Sequence, residues 1–98
     1  MSRELEDVLT CLRQRKAEAR DVYGVELVGV VGSVARSEAR SDSDVDVLME
    51  IVGHTTYFRI AELEAKLEAQ LGRPVDLVDR KQLKPAIEAR MERDLVPV

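Results

Sequence analysis

Residues 25–52 read VELVGVVGSVARSEARSDSDVDVLMEIV, and this stretch decides the fold. Residues 25–31 are almost wholly apolar and rich in β-branched side chains, which predicts a central strand covered on both faces. A Gly-Ser pair ends this strand, and a short helix is predicted from about residue 34 to residue 40, before a turn at 41–43. Residues 44–52 are the second predicted strand, because their apolar side chains alternate. The side chains on its apolar face are Val45, Val47, Met49 and Ile51.

Helical patterns surround these two strands. Apolar residues recur at helical spacing over residues 2–21, and a second amphipathic stripe covers residues 60–71. Residues 75–78 are predicted to form a third strand, and residues 81–93 are predicted to be helical. The tail at 95–98 is compatible with either a short edge strand or disorder.

The element order is therefore α-β-α-β-α-β-α, within a single domain spanning residues 1–98. This order at this length predicts an α+β fold with α/β-type alternation, in which a small mixed β-sheet carries helices packed mainly on one face. The sequence leaves open whether the first two strands are parallel or antiparallel, because only a short helix and a turn join them.

Composition narrows the class of function. The net charge of −4 argues against general binding to DNA or RNA, but it does not exclude one small polyanion bound through divalent cations. Aromatic residues make up 3% of the chain and tryptophan is absent, so a nucleic-acid acceptor is disfavoured. The single cysteine, Cys11, excludes an internal disulfide and fits a cytoplasmic protein. The N-terminal residues resemble neither a signal peptide nor a membrane span.

The first predicted strand ends in a Gly-Ser pair at a position that suits a ligand. Gly32 and Ser33 stand between a buried strand and a helix, where backbone N–H groups and a hydroxyl suit phosphate. An ordinary turn is the alternative for this pair alone.

Asp44 and Asp46 share one face of the second strand, and adjacent carboxylates there need a compensating cation. Mg²⁺ is the natural candidate because it prefers oxygen ligands, and solvated or helix-capping aspartates are the alternative.

A third carboxylate interrupts a later apolar strand. Asp76 lies between Val75 and Leu77, and it joins Asp44 and Asp46 if its strand pairs beside the second one. Three carboxylates then surround a site large enough for two metal ions. Alone, Asp76 is equally well interpreted as a surface-facing strand residue.

The combination is more specific than its parts. Gly-Ser, ten intervening residues, Asp-x-Asp and a third aspartate in a Val-Asp-Leu-Val strand resemble the nucleotidyltransferase superfamily that includes polymerase β. More closely, the chain resembles the minimal nucleotidyltransferases (MNT) of bacteria and archaea, the antitoxins encoded beside HEPN-domain ribonuclease toxins. The resemblance covers nearly the whole chain, from the first helix to the Leu-Lys-Pro segment at 83–85.

The resemblance implies an Mg²⁺-dependent protein adenylyltransferase that moves AMP from ATP to a tyrosine of a HEPN toxin and so silences its RNase activity. The implied ligands of two Mg²⁺ ions are Asp44, Asp46 and Asp76. The implied nucleotide-binding residues are Gly32, Ser33 and Arg36. Asp76 is also expected to help deprotonate the acceptor. The family often has glycine where this chain has Ser37, a departure that bears on the short helix and on activity.

The acceptor is expected to be a partner protein, because a chain of this length leaves little room for an acceptor-binding domain. Two other functions stay open. One is a non-catalytic antitoxin that neutralises the toxin by occlusion, and the other is a small-molecule nucleotidyltransferase of the antibiotic-modifying type. The sequence leaves the oligomeric state, the preferred nucleotide and the number of nucleotides added undecided.

Overall fold

Helices and strands alternate along the chain as the sequence pattern predicts. The computed structural model describes residues 2–40 and 42–98, so Ser41 of the predicted turn lies outside the described residues. The helices are α1 (Arg3–Asp21), α2 (Gly32–Ala35), α3 (Tyr57–Leu71) and α4 (Pro85–Asp94), with a 3-10 helix at Arg80–Gln82. The strands are β1 (Val25–Val31), β2 (Val45–Ile51), β3 (Val75–Asp79) and β4 (Val96–Pro97).

Local sequence explains where the two long helices begin and where α3 ends. At the start of α1, Ser2 Oγ accepts a hydrogen bond from the backbone N–H of Leu5 at 3.1 Å. At the start of α3, Thr56 Oγ1 accepts one from the backbone N–H of Arg59 at 3.2 Å. Gly72 ends α3 with a φ of +69°, a left-handed conformation that glycine adopts without steric cost.

The sheet is mixed, as predicted, with the strand order β3-β2-β1-β4. β2 runs parallel to β3, and β1 runs antiparallel to both β2 and β4. The β1–β2 pair is antiparallel, and its connection contains only the four-residue helix α2, whereas parallel neighbours usually use a full crossover helix. β4 pairs with Gly29 and Val30 at the edge of the sheet, which settles the structure of the tail.

α1 and α3 cover one face of the sheet and enclose the main core. Leu9 and Leu12 of α1 and Leu63 and Leu67 of α3 are buried against strand residues such as Val47. Burial of a side chain of this size contributes about 1.5–3 kcal/mol to folding. This face therefore supplies most of the stability and leaves the opposite face available for a site.

α4 and the 3-10 helix lie over part of that opposite face. Arg80 of the 3-10 helix pairs with Glu50 of β2 at 3.5 Å and with Glu92 of α4 at 2.6 Å. Leu48, on the same face of β2 as Glu50, is fully buried. The expectation of helices mainly on one face is confirmed for α1 and α3, and α4 adds a partial cover on the other.

Some element boundaries differ from those that the sequence predicts. The short helix covers Gly32–Ala35 rather than residues 34–40, since Ser37 takes a left-handed φ of +60° just beyond its end. The predicted helix at 81–93 is divided before Pro85, because the residue that precedes a proline disfavours the helical conformation, and Lys84 has a ψ of 145°. β2 is one residue shorter at each end than predicted.

Candidate active site

Asp46 and Asp76 lie side by side on neighbouring strands. Each is the second residue of its strand, β2 or β3, and the two are direct partners in the parallel register. Val45 and Val75, which precede them, are buried in the core that α1 and α3 cover. Because side chains alternate along a strand, both carboxylates project from the opposite face. The structure therefore brings two of the three predicted metal ligands together.

Asp44 lies next to this pair but just outside the strand. It precedes the first residue of β2, and its negative charge acts on Asp46 two positions later. Asp44 and Asp76 are exposed, whereas Asp46 is half-buried. The three predicted acidic residues thus form one electrostatic cluster, with Asp46 as its least solvated member.

Burial raises the pKa of Asp46, and the negative charges of Asp76 and then Asp44 raise it further. The positive charge of Arg36 acts in the opposite direction without cancelling these effects. Carboxylates this close repel one another when ionised, and a cation bound between them removes the repulsion. The cluster is therefore electrostatically suited to a metal ion.

Gly32 lets the turn after β1 lie directly against Asp46. Its φ is +74°, and a Cβ atom at this position would lie 2.7 Å from Asp46 Oδ2. The preceding residue, Val31, is the partner of Asp46 across the antiparallel β1–β2 pair. Ser33 follows at once in the first turn of α2. The predicted phosphate turn and the predicted metal cluster are therefore in contact.

Arg36 stands at the end of α2, and two carboxylates bind its guanidinium group. Arg36 Nη1 donates to Asp94 Oδ2 at 2.6 Å, and Nε donates to Glu38 Oε2 at 3.1 Å. These hydrogen bonds raise the pKa of Arg36. Arg36 thus acts on Asp46 through its charge, while a phosphate group would have to share or replace Asp94 and Glu38 as its partner.

Sequence reasoning did not single out these two partners of Arg36. Asp94 is 58 positions away along the chain, at the end of a helix rich in charged residues, so no spacing pattern marks it. Glu38 lies two residues after Arg36, and this proximity is the one signal that the sequence offers.

The donor set fits Mg²⁺ as an open site. Asp44, Asp46 and Asp76 offer carboxylate oxygens, which Mg²⁺ prefers, and their repulsion favours a cation. Within residues 2–40 and 42–98, no three His, Cys, Asp or Glu side chains are arranged closely enough to hold a metal ion by themselves. Mg²⁺ commonly takes one or two carboxylates and completes its shell with waters and substrate phosphates. A metal centre at Asp46 and Asp76 with positions left open for a phosphate ligand would match this coordination of Mg²⁺.

Two further predictions from the sequence concern the single cysteine and membrane spans. Cys11 is buried in the core, and burial raises the pKa of its thiol, which disfavours the reactive thiolate. Among the helices of the described residues, none is at once long enough and apolar enough to traverse a lipid bilayer.

The chain is similar to known proteins over nearly its whole length. The family model for the nucleotidyltransferase domain matches residues 7–96. The protein adenylyltransferase MntA of Thermococcus cleftensis is 42% identical over 94 residues, which cover 96% of this chain and 95% of the relative. A solved structure described as a minimal nucleotidyltransferase superposes with a TM-score of 0.74 at 36% identity, covering 94% of this chain and 96% of its own. A toxin–antitoxin structure with AMP-PNP has a TM-score of 0.60 at 22% identity over 88% of this chain and 64% of its own, a likeness in fold alone.

Proposed function

This chain belongs to the nucleotidyltransferase domain family, and on that basis we propose that it is an antitoxin that transfers AMP from ATP to a partner toxin. The acceptor is the hydroxyl group of a tyrosine on a HEPN-type toxin, in the cytoplasm. The named relative from Thermococcus cleftensis, a protein adenylyltransferase, supports protein as the class of acceptor.

One observation carries the proposal more than any other. Asp46 and Asp76 are register partners on one face of the sheet, and the turn at Gly32 lies against the carboxylate of Asp46. A polyphosphate held at the turn would therefore meet the metal-binding carboxylates without any rearrangement of the strands.

In binding ATP, the turn at Gly32 and Ser33 contacts the triphosphate, and the aspartate cluster holds Mg²⁺. Gly32 allows the backbone to approach the triphosphate closely, and the Ser33 hydroxyl is available to donate to a phosphate oxygen. Arg36 contributes positive charge beside the triphosphate. Bound Mg²⁺, held by the carboxylates, supplies charge neutralisation for the phosphate oxygens and the leaving group.

Asp76 receives the proton from the acceptor, since it is the exposed carboxylate of the strand pair. The acceptor oxygen forms a bond to the α-phosphorus of ATP, and the bond from that phosphorus to the bridging oxygen of the β-phosphate breaks. Pyrophosphate leaves with the electron pair of that bond, and AMP remains on the acceptor. The proton passes from Asp76 to solvent.

The test is transfer of label from α-³²P-ATP to the toxin in the presence of Mg²⁺. We expect wild type to label the toxin, and we expect Asp46→Asn or Asp76→Asn to lower the rate by about 100-fold or more, because each removes charge where the phosphates react. The matched control is Asp42→Asn, which removes an exposed carboxylate from the same segment and should leave the rate within about twofold.

Mass spectrometry of the toxin gives the second readout, since one transferred AMP adds a fixed mass to one tyrosine. Equal labelling by wild type and Asp46→Asn would refute the assignment of the site. Inhibition of the toxin without any label or added mass would favour the occlusion mechanism instead.

A further inference from the structure

One end of the molecule carries exposed apolar side chains that the proposed reaction does not use. Tyr57 is 89% exposed, Phe58 84%, Val22 52% and Val52 45%. They come from the end of α1, the end of β2 and the start of α3. We call these four residues the aromatic patch. The chain has three aromatic residues, and two of them lie here.

Hydrogen bonds hold the three parts of the aromatic patch together. The backbone N–H of Val52 donates to the carbonyl of Gly24 at 2.9 Å, which ties the end of β2 to the turn after α1. Arg59 Nη2 donates to the carbonyl of Val22 at 2.6 Å, which ties the start of α3 to the same turn. These two hydrogen bonds therefore join the three elements that carry the patch residues.

A cavity of about 640 Å³ opens beside the aromatic patch. Tyr57 belongs to the patch and also lines the cavity. The cavity lies between α3 and the C-terminal ends of β2 and β3. Its apolar walls include Met49, Ile51, Ile60 and Leu77. The cavity and the patch together offer a pocket with an aromatic rim, which is the form that protein-interaction hot spots commonly take.

The charges in the cavity are of one sign. Glu64 and Asp79 both line it, and none of its described lining residues is cationic. Thr55 Oγ1, also in the lining, is buried without a hydrogen-bond partner among the described residues. The cavity is thus complementary to an apolar side chain that has a lysine or arginine beside it.

This surface is remote from the aspartate cluster. Met49 and Leu77 face the α1–α3 side of the sheet, whereas Asp46 and Asp76 face the other side. Asp46 is near the start of β2 and Ile51 is its last residue, a separation of about 17 Å along the strand. A group seated in the cavity would leave the site for ATP free.

We propose that the aromatic patch and its cavity dock the acceptor protein through an apolar side chain flanked by a lysine or arginine. This inference rests on the proposed function, because it concerns how the same acceptor is held. Docking at a second surface raises the effective concentration of the acceptor hydroxyl at the aspartate cluster.

The experiment measures both binding and transfer with the HEPN-type toxin as the probe. Tyr57→Ser and Phe58→Ser should each weaken toxin binding in calorimetry and raise KM for the toxin by about tenfold. The value of kcat at saturating toxin and the thermal shift produced by Mg²⁺-AMP-PNP should stay within about twofold of wild type. Both side chains are largely exposed, so the variants are expected to fold.

Two further variants complete the design. Ile87→Ser removes an exposed apolar side chain from α4, and toxin binding should not change. Asp79→Asn keeps an oxygen to accept the hydrogen bond from the Lys81 N–H but removes the charge, so it should weaken toxin binding severalfold at low salt and less at high salt.

The outcomes separate this inference from the proposed function. If wild type labels the toxin and the patch variants match Ile87→Ser, docking here is refuted while the reaction stands. If wild type binds the toxin without labelling it and Phe58→Ser weakens that binding, docking stands while the reaction is refuted. A wild-type dimer in sedimentation that Phe58→Ser converts to monomer would assign the surface to a second copy and overturn the inference.

Discussion

At Asp46 a half-buried carboxylate faces two other carboxylates, with Arg36 as the opposing charge nearby. The fold supplies this position by placing Asp46 between Val45 and Val47, both fully buried on the other side of the strand. Apolar packing therefore fixes the backbone of the site, while the site's own charges oppose folding. A bound cation would offset this repulsion and would allow an anionic polyphosphate to bind beside the carboxylates.

Asp46→Asn should make the metal-free protein more stable at neutral pH. The pKa of Asp46 is raised above its ordinary value of 3.8 in the folded chain, so folding favours the protonated carboxyl. Its contribution to stability is full below the pKa of the unfolded chain and is lost as the pH rises through the folded pKa. Asparagine removes that loss because it does not ionise.

Thermal unfolding in a chelator at several pH values measures this effect. The Tm of Asp46→Asn should exceed that of wild type at pH 7 and approach it as the pH falls toward 3.8. Mg²⁺ with AMP-PNP should raise the Tm of wild type much more than that of the variant. A lower Tm for the variant in chelator at pH 7 would show that the carboxylate stabilises the empty site.

Among the elements, α2 is followed by a residue in an unfavourable backbone conformation. It spans only Gly32–Ala35, and Ser37, just beyond its end, holds a left-handed φ of +60°. The backbone N–H of Ser37 donates to the carbonyl of Val34 at 3.0 Å, and Arg36 between them points toward Asp94 of α4. The left-handed conformation of Ser37 thus ends the helical turn directly after Arg36.

Ser37→Gly is expected to raise the free energy of unfolding by up to about 1 kcal/mol, because glycine adopts a positive φ without a Cβ clash. Ser37→Val should lower it by about 1–2 kcal/mol, since a β-branched side chain fits that conformation poorly. Urea denaturation measures both values.

Arg40→Gly is the control for Ser37→Gly, because Arg40 is exposed and does not have a positive φ. Glycine at this position should lower the free energy of unfolding, since it adds only entropy to the unfolded chain. A stability gain at Arg40 equal to that at Ser37 would show that the left-handed conformation is not the cause.

For the whole molecule, the sequence predicts the helices and strands but does not predict contacts between residues that are far apart along the chain. The periodicity of α1, β1 and α3 and the fold class follow from neighbouring residues, and the structure confirms them. The pairing of Asp46 with Asp76 depends on strand order, which the sequence supports only conditionally. The contact between Arg36 and Asp94 joins residues 58 positions apart, and no local pattern encodes it.

The exposed aromatic residues show the same limit. An apolar pair at the start of a helix, such as Tyr57 and Phe58, has the same pattern whether the pair packs inward or faces solvent. Only the tertiary arrangement shows that both are exposed and that Tyr57 lines a cavity. Surfaces that serve a partner are therefore harder to predict than the carboxylates that serve the reaction.

The most direct test of the central claim is a crystal structure of this chain with Mn²⁺ and a non-hydrolysable ATP analogue, with the metal located by anomalous scattering. We predict metal density in direct contact with carboxylate oxygens of both Asp46 and Asp76, and the analogue's triphosphate against the backbone of Gly32 and Ser33. Metal and triphosphate bound elsewhere, with Asp46 and Asp76 still free of both, would contradict it.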